Sequence, residues 1–221
     1  LRGLDYLLVE LGKRDMLAVL FFNNTWEWTG GYSQYLEWAG YGKAPVPVID
    51  GWPAFQEYVG QYMGCVKCDS LFRNHLKNII TRVNSISGVP YIEEPAIMSW
   101  QIANEPRPMG ADNKELYEKF ILSTAEYIKS LDTNHMVSVG SEGSYGSEND
   151  MDLYRRVHQT EYVDYLTLHI WPKNWMWIDI RDIPGSVERA SAAADKYLDE
   201  HIALAEELNK PIVLSEFGFP R

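Results

Sequence analysis

Ser99-Trp100-Gln101-Ile102-Ala103-Asn104-Glu105-Pro106-Arg107 reads as a buried strand that runs out into a polar tip. A carboxylate stands at its exit, and a proline, which has no N–H to continue a ladder, stops it. Pro211-Ile212-Val213-Leu214-Ser215-Glu216-Phe217-Gly218 has the same design. If both strands run parallel in one sheet, Glu105 and Glu216 stand on one rim. The remaining segments decide whether they do.

Working outward, Leu1, Leu4, Leu7, Leu8 and Leu11 have helical spacing. Met16 to Phe22 is a continuous apolar run, which suits a strand buried on both faces. Asn24 to Cys68 shows no sustained period and is rich in Gly, Pro and aromatic residues. A loop of that length inside a compact domain is usually functional. Asp69 or Ser70 then caps an expected helix with Leu71, Phe72, Leu76, Ile79, Ile80 and Val83 on one face. After strand Ile97 to Ala103, Asp112-Asn113-Lys114-Glu115 resembles a capping box opening a helix through Leu131. Met136 to Gly140 is an expected short strand, Asn149 to His158 a brief helix, and Val163 to Trp171 another strand. An Ala-rich helix spans Ser186 to Asn209, and Ile212 to Ser215 is the last strand.

Strands and helices alternate strictly, with no hairpin turn of the Asn-Gly kind between strands. That order predicts an α/β fold with parallel strands and helical crossovers. An open doubly wound sheet and a (β/α)8 TIM barrel both satisfy it. No glycine-rich phosphate loop follows any strand, which weakens the nucleotide-binding form of the open sheet. Parity favours the barrel. Leu166, Leu168 and Ile170 share one face, opposite Tyr165, Thr167, His169 and Trp171. Met98, Trp100 and Ile102 likewise oppose Ser99, Gln101, Ala103 and Glu105. One apolar side for outer helices and one mixed side for the axis is the pattern of a barrel strand. The polar strand ends are then Asn23, Glu105, Glu142, His169 and Glu216. No repeat or linker interrupts the chain, so residues 1–221 read as one domain.

Two carboxylates on one rim permit glycoside hydrolysis, one as acid/base and the other as nucleophile or base. They also permit a divalent metal, but that wants more Asp or His than His169 supplies. A third reading pairs each Glu structurally with an arginine such as Arg107. Asn104 is either a hydroxyl-binding amide or a turn former. His169 is either a partner of a carboxylate or a core histidine, and its inward position favours the former. The Trp-rich loops after Asn24 and after Trp171 (Trp175, Trp177) could stack on sugar rings, though some of those tryptophans must instead pack their own loops.

Composition narrows the partners. Of 221 residues, 46% are hydrophobic, enough for one core, and the net charge of −11 argues against nucleic acid or an anionic membrane. The longest apolar run is too short to span a bilayer. Eight Trp and 14 Tyr exceed ordinary core needs and suit a sugar-binding cleft as well as a Trp-rich core. Cys65 and Cys68 stand as C-x-x-C with no second ligand pair. A local disulfide or two inert thiols come first, a redox role second and a metal site third.

With His169-Ile170-Trp171-Pro172 and Leu214-Ser215-Glu216-Phe217-Gly218, the Trp100–Arg107 stretch resembles glycoside hydrolase family 5 of clan A. The endings Asn104-Glu105-Pro106-Arg107, Asn23-Asn24-Thr25-Trp26, Gly30-Gly31-Tyr32-Ser33-Gln34-Tyr35, Trp38-Ala39-Gly40 and Gly140-Ser141-Glu142-Gly143 resemble its endo-β-1,4-mannanase branch. The resemblance implies a retaining enzyme without cofactor or metal. Glu105 would be acid/base and Glu216 nucleophile, with carboxyl groups about 5–5.5 Å apart. Glu105, facing another carboxylate, is expected to have a raised pKa. Asn104 would bind the 2-hydroxyl, His169 would lie beside the nucleophile, and Trp171 would stand where many relatives carry Tyr. Arg107 would contact the leaving-group side, with Trp26 and Trp175 as further subsite candidates.

The implied substrate is β-mannan polysaccharide or manno-oligosaccharides. A β-1,4-glucanase and a catalytically silent carbohydrate-binding barrel are the alternatives. A polymer substrate implies a secreted, periplasmic or cell-surface protein. No signal peptide is visible, but the chain opens in mid-helix. Aligned with the family, it runs from helix two through strand seven. Strands one, two and eight are absent, with the arginine and tryptophan expected at the ends of two of them. The 221 residues are therefore expected to be a piece of a longer protein. Alone, it should expose sheet edges and be poorly soluble or inactive.

Overall fold

The structure is a computed structural model and describes residues 1–219; the last two residues of the expected domain lie outside it. Among these residues five strands carry the architecture: β1 (Ala18–Phe21), β2 (Ile97–Gln101), β3 (Met136–Ser138), β4 (Leu166–Ile170) and β5 (Ile212–Phe217). All pairings between these strands are parallel. β1-β2-β3 form one ladder and β4-β5 a second. A parallel bridge between Ser138 and Tyr165 joins the ladders, so the strands follow one another in sequence order along one wall. Ser99 Oγ lies 2.7 Å from Tyr165 Oη across the inner side of that wall.

Among the described residues eight α-helices accompany the strands: α1 (Arg2–Gly12), α2 (Gly31–Ala39), α3 (Pro47–Asp50), α4 (Trp52–Gly60), α5 (Val66–Ile80), α6 (Lys114–Leu131), α7 (Met151–His158) and α8 (Ile183–Leu208). The largest core gathers Leu8, Phe22, Leu36, Phe72, Trp100 and Ile121. Trp100 is wholly buried; it stacks on Phe22 and donates its indole N–H to Asp132 at 2.7 Å. Leu166 packs with Tyr154, Leu204 and Ala205 of α7 and α8, whereas Leu168 and Ile170 pack with Trp175 and Tyr197. The opposite parity carries Thr167 and His169 to the polar side, as the alternation predicts. No helix among the described residues is long and apolar enough to cross a membrane.

Four expectations change. The Asn24–Cys68 stretch is not structureless. It holds α2, α3 and α4, with Tyr32, Tyr35 and Leu36 and then Phe55, Tyr58 and Val59 buried at i, i+3, i+4 spacing. Each helix is so short, and so punctuated by glycine, that no sustained period forms. The Met16–Phe22 run is not buried on both faces: Val19 and Phe21 of β1 are exposed, because β1 has a ladder partner on one side only among the described residues. Helix α5 starts ahead of Asp69. Its N-cap is Cys65, whose Sγ accepts from Cys68 N at 3.1 Å, and the two cysteines form a disulfide. The capping box also fails. Asn113 gives its amide to the carbonyls of Pro108 (3.0 Å) and Gly60 (3.3 Å) instead of receiving the helix N–H groups.

Candidate active site

Glu105 lies just past β2. Its backbone N donates to Gly140 O at 3.0 Å, which ties the strand exit to the end of β3. A side chain at Gly140 would stand 1.9 Å from Ala103 O, so only glycine lets the two segments meet this closely. Glu105 itself has φ 48°, the left-handed region that a non-glycine residue occupies at a cost of order 1–3 kcal/mol. That conformation turns the carboxylate off the strand into a cleft of about 570 Å³.

The carboxylate is nearly buried, and both oxygens have donors. Oε1 accepts from His169 Nδ1 at 2.8 Å, and Oε2 accepts from the indole N–H of Trp26. The raised pKa expected for Glu105 is not found. Burial pushes the carboxyl up, but His169, Trp26 and the Arg107 charge outweigh it and hold it below its ordinary value. The donors are in direct hydrogen-bond contact with the carboxylate. The upward shift falls on Glu142: burial, aided by the Glu105 charge, pushes its carboxyl up to about 7 against the pull of Arg107.

Glu216 reaches the same rim from β5. The β4–β5 register pairs Leu168 with Leu214 and then His169 with Glu216, so Ser215 is an extra residue on β5. Such a bulge re-aims the next side chain. Glu216 Oε2 accepts from the Trp171 indole N–H at 3.2 Å and lies 3.5 Å from His169 Nδ1. His169 thus sits between the carboxylates, closer to Glu105 than to Glu216. One oxygen of each carboxylate and a ring nitrogen of His169 all lie within 4.8 Å of one another. Two carboxylates and an imidazole could ligate a metal ion. Here, however, the indole N–H groups of Trp26 and Trp171 are turned toward Oε2 of Glu105 and Oε2 of Glu216, which is hydrogen-bonding geometry.

The other sequence-predicted residues converge on the cleft. Asn104 lines it, its amide only 3.4 Å from Asn24 Oδ1. Trp171 and Trp175 line it, and Trp175 stacks on Tyr145 with centroids 4.4 Å apart. Trp26 lines it too, but it is buried and serves Glu105 rather than offering a free face. Arg107 also lines the cleft, with its guanidinium fork held by Glu142 (Nε to Oε2 2.5 Å, Nη2 to Oε1 2.6 Å). Its carbon Cζ lies 4.9 Å from the Trp26 ring centroid and 5.3 Å from that of Tyr145.

Sequence reasoning left Gln56, Glu142, Tyr145 and Asn174 out of the site, and reached Trp28 and Trp52 only through the aromatic richness of their segment. Glu142 was legible as a strand-end carboxylate, but its grip on Arg107 joins loops 35 residues apart. Trp28, Trp52 and Gln56 come from the segment read as irregular, and nothing in their spacing points at the cleft.

Across residues 1–221, the chain matches the family described as GH family 5 beta-mannosidase-like. The chain belongs to this family. It is 30% identical over 229 residues to mannan endo-1,4-beta-mannosidase 4 of Solanum lycopersicum, covering 98% of this chain and 53% of that protein. The crystal structure of a glycoside hydrolase family 5 mannosidase from Rhizomucor miehei superposes on the whole chain with TM-score 0.88 and 33% identity, over 52% of its own length. An endo-beta-1,4-mannanase from Thermotoga petrophila matches with TM-score 0.78 and 25% identity, over 99% of this chain and 46% of its own. This family-5 chain thus spans about half the length of the relatives it matches.

Proposed function

We propose that the protein is a retaining glycoside hydrolase that cleaves β-1,4-mannosidic linkages within mannan, glucomannan or galactomannan by double displacement. One observation carries the reading: Glu105 and Glu216 line an aromatic cleft, and one oxygen of each lies within 4.8 Å of the other and of a buried His169 ring nitrogen. Retaining enzymes hold their carboxyl groups about 5–5.5 Å apart, and inverting ones about 6.5–9.5 Å. The spacing therefore supports direct attack by Glu216 on the anomeric carbon. Glu105 gives its proton to the departing oxygen, then takes one from the water that hydrolyses the glycosyl ester. Closing the cleft over a sugar strips solvent from Glu105, which favours the protonated form that the first step needs.

Asn104 is assigned to the 2-hydroxyl, since its amide faces the cleft with only a long internal contact. Arg107 is assigned to the leaving-group side, and Trp171 and Trp175 to the sugar wall. The five parallel strands are read as part of an eight-stranded barrel. An exported location follows from a polymer substrate. Names among the relatives support mannan as the substrate class; one of them, the Rhizomucor protein, is called a mannosidase, which favours exo removal of single mannose units as a second reading.

In the full-length protein, the first-formed product of mannohexaose should keep the β-configuration by proton NMR. Glu216→Ala should abolish turnover. Mannan viscosity should fall well before reducing ends accumulate; a proportional rise in free mannose would favour the exo reading. Inverted product would remove Glu216 from the nucleophile's role. A preference for carboxymethyl cellulose over mannan would move the substrate to β-1,4-glucan.

A further inference from the structure

The loop after β3 supplies two parts of the cleft, Glu142 and Tyr145, and it is held from outside the cleft by α8. Tyr197 Oη donates to Glu142 O at 2.8 Å and accepts from Tyr145 N at 3.1 Å. One turn further on, His201 Nε2 accepts from Ser144 N at 2.8 Å. Three polar backbone groups of a four-residue loop thus end on two side chains of one helix. Gly143, between them, has φ 102°, and a Cβ there would stand 2.3 Å from Tyr197 Oη and 2.6 Å from His201 Nε2. The loop is pressed against the helix at the one residue whose lack of a side chain allows it.

The arrangement specifies a single tautomer. Because Nε2 accepts from Ser144, the ring proton must be on Nδ1, which donates to Tyr197 O at 2.7 Å. His201 is wholly buried and Tyr197 nearly so. From this loop, Glu142 grips both sides of the Arg107 fork, and Tyr145 stands over the same guanidinium and stacks on Trp175.

We propose that Tyr197 and His201 are positioning residues that set the Glu142–Tyr145 wall of the cleft, and through it Arg107, from helix α8. They touch no substrate; they fix where the leaving-group wall stands. The consequence for binding rests on the functional reading above, but the contact itself does not.

The contact is also acid-sensitive. A protonated His201 has N–H on both nitrogens and would turn a donor toward Ser144 N–H. The groups around it are Tyr197 and Glu200 on α8, Tyr154 (ring centroids 5.0 Å apart) and His158 on α7, and Ser144 on the loop. Glu142 and Arg107 face the adjoining Tyr197. Burial holds His201 below its ordinary value, so the contact is present above that lowered value and lost as pH falls through it.

Three variants of the full-length protein test this: Tyr197→Phe, which deletes one oxygen, His201→Leu, and His201→Gln, whose amide oxygen can accept without titrating. Amide hydrogen exchange at Ser144 and Tyr145 should quicken about tenfold in Tyr197→Phe and His201→Leu, and stay near wild type in His201→Gln. KM for mannohexaose should rise about fivefold in the first two with kcat less affected, and return in His201→Gln. On acidification, Ser144 should lose protection in the wild type but not in His201→Gln. Unchanged exchange in Tyr197→Phe and His201→Leu would overturn the proposal, and so would faster exchange with KM unmoved. A wild type inert on every mannan would sink the mannanase reading, while the exchange experiment would still decide the contact.

Discussion

Glu105 and Glu216 each accept an indole N–H, Trp26 on one and Trp171 on the other, yet they are held very differently. Glu105 is nearly buried, has a second donor in His169, sits at a left-handed backbone position and is tied to Gly140. Glu216 lies on β5, where Val213, Leu214 and Phe217 are exposed and β4 is the one ladder partner among the described residues. The first carboxylate is specified several times over by groups packed around it. The second depends on a bulge, one indole and the shared His169. A site of this kind can be rigid on the Glu105 side while the Glu216 side takes its support from few contacts.

The contrast can be tested at each level. The largest effect is expected from Glu105→Gln, which should keep the packing but remove the proton donor. Turnover of mannohexaose should fall about 10²–10⁴-fold, with far smaller losses on aryl mannosides whose leaving groups need no proton. An equal loss on both substrates would deny Glu105 the acid's role. Next is Trp26→Phe. Without the indole N–H, the lowered Glu105 carboxyl should rise, so the alkaline limb of kcat/KM should move to higher pH, with about a tenfold drop in rate. Trp171→Phe should lower the rate without moving that limb. A shared shift would mean that the two indoles are interchangeable.

Smaller effects concern stability. Glu142 is raised from 4.5 to about 7 in the folded state, so that state holds its proton where the unfolded chain has released it. Stability from this group is therefore full below about pH 4.5 and falls as pH rises toward 7. Glu142→Gln should flatten that slope in urea-unfolding midpoints measured across the interval; an unchanged slope would assign it elsewhere. The smallest effect is expected from Cys65→Ser with Cys68→Ser. The bridge closes a very short loop, worth about 2 kcal/mol or less by chain entropy. It adjoins Tyr62, whose Oη accepts from Asn23 Nδ2 at 3.0 Å, so the loss should appear on the Glu105 side of the cleft. Chemical denaturation of the reduced and oxidised protein measures it.

Much of this was legible in the chain. Strict alternation of strands and helices gave parallel pairing, because crossover helices leave no other short connection. The parity of Leu166, Leu168 and Ile170 against Thr167 and His169 placed His169 on the polar side, since successive side chains on a strand point oppositely. Asn104-Glu105-Pro106-Arg107 and Ser215-Glu216-Phe217-Gly218 pointed to the two carboxylates by local chemistry alone. Tertiary structure decided the rest, because it depends on distances between segments far apart in sequence. Glu105 is lowered rather than raised because Trp26, 79 residues away, and His169, 64 away, bring their N–H groups to it. Arg107 is committed to Glu142 because two loops meet, and that loop in turn answers to Tyr197 and His201. Periodicity and strand-end chemistry are properties of neighbours along the chain. The charge state of a buried carboxylate is a property of neighbours in space, which only the folded wall brings together.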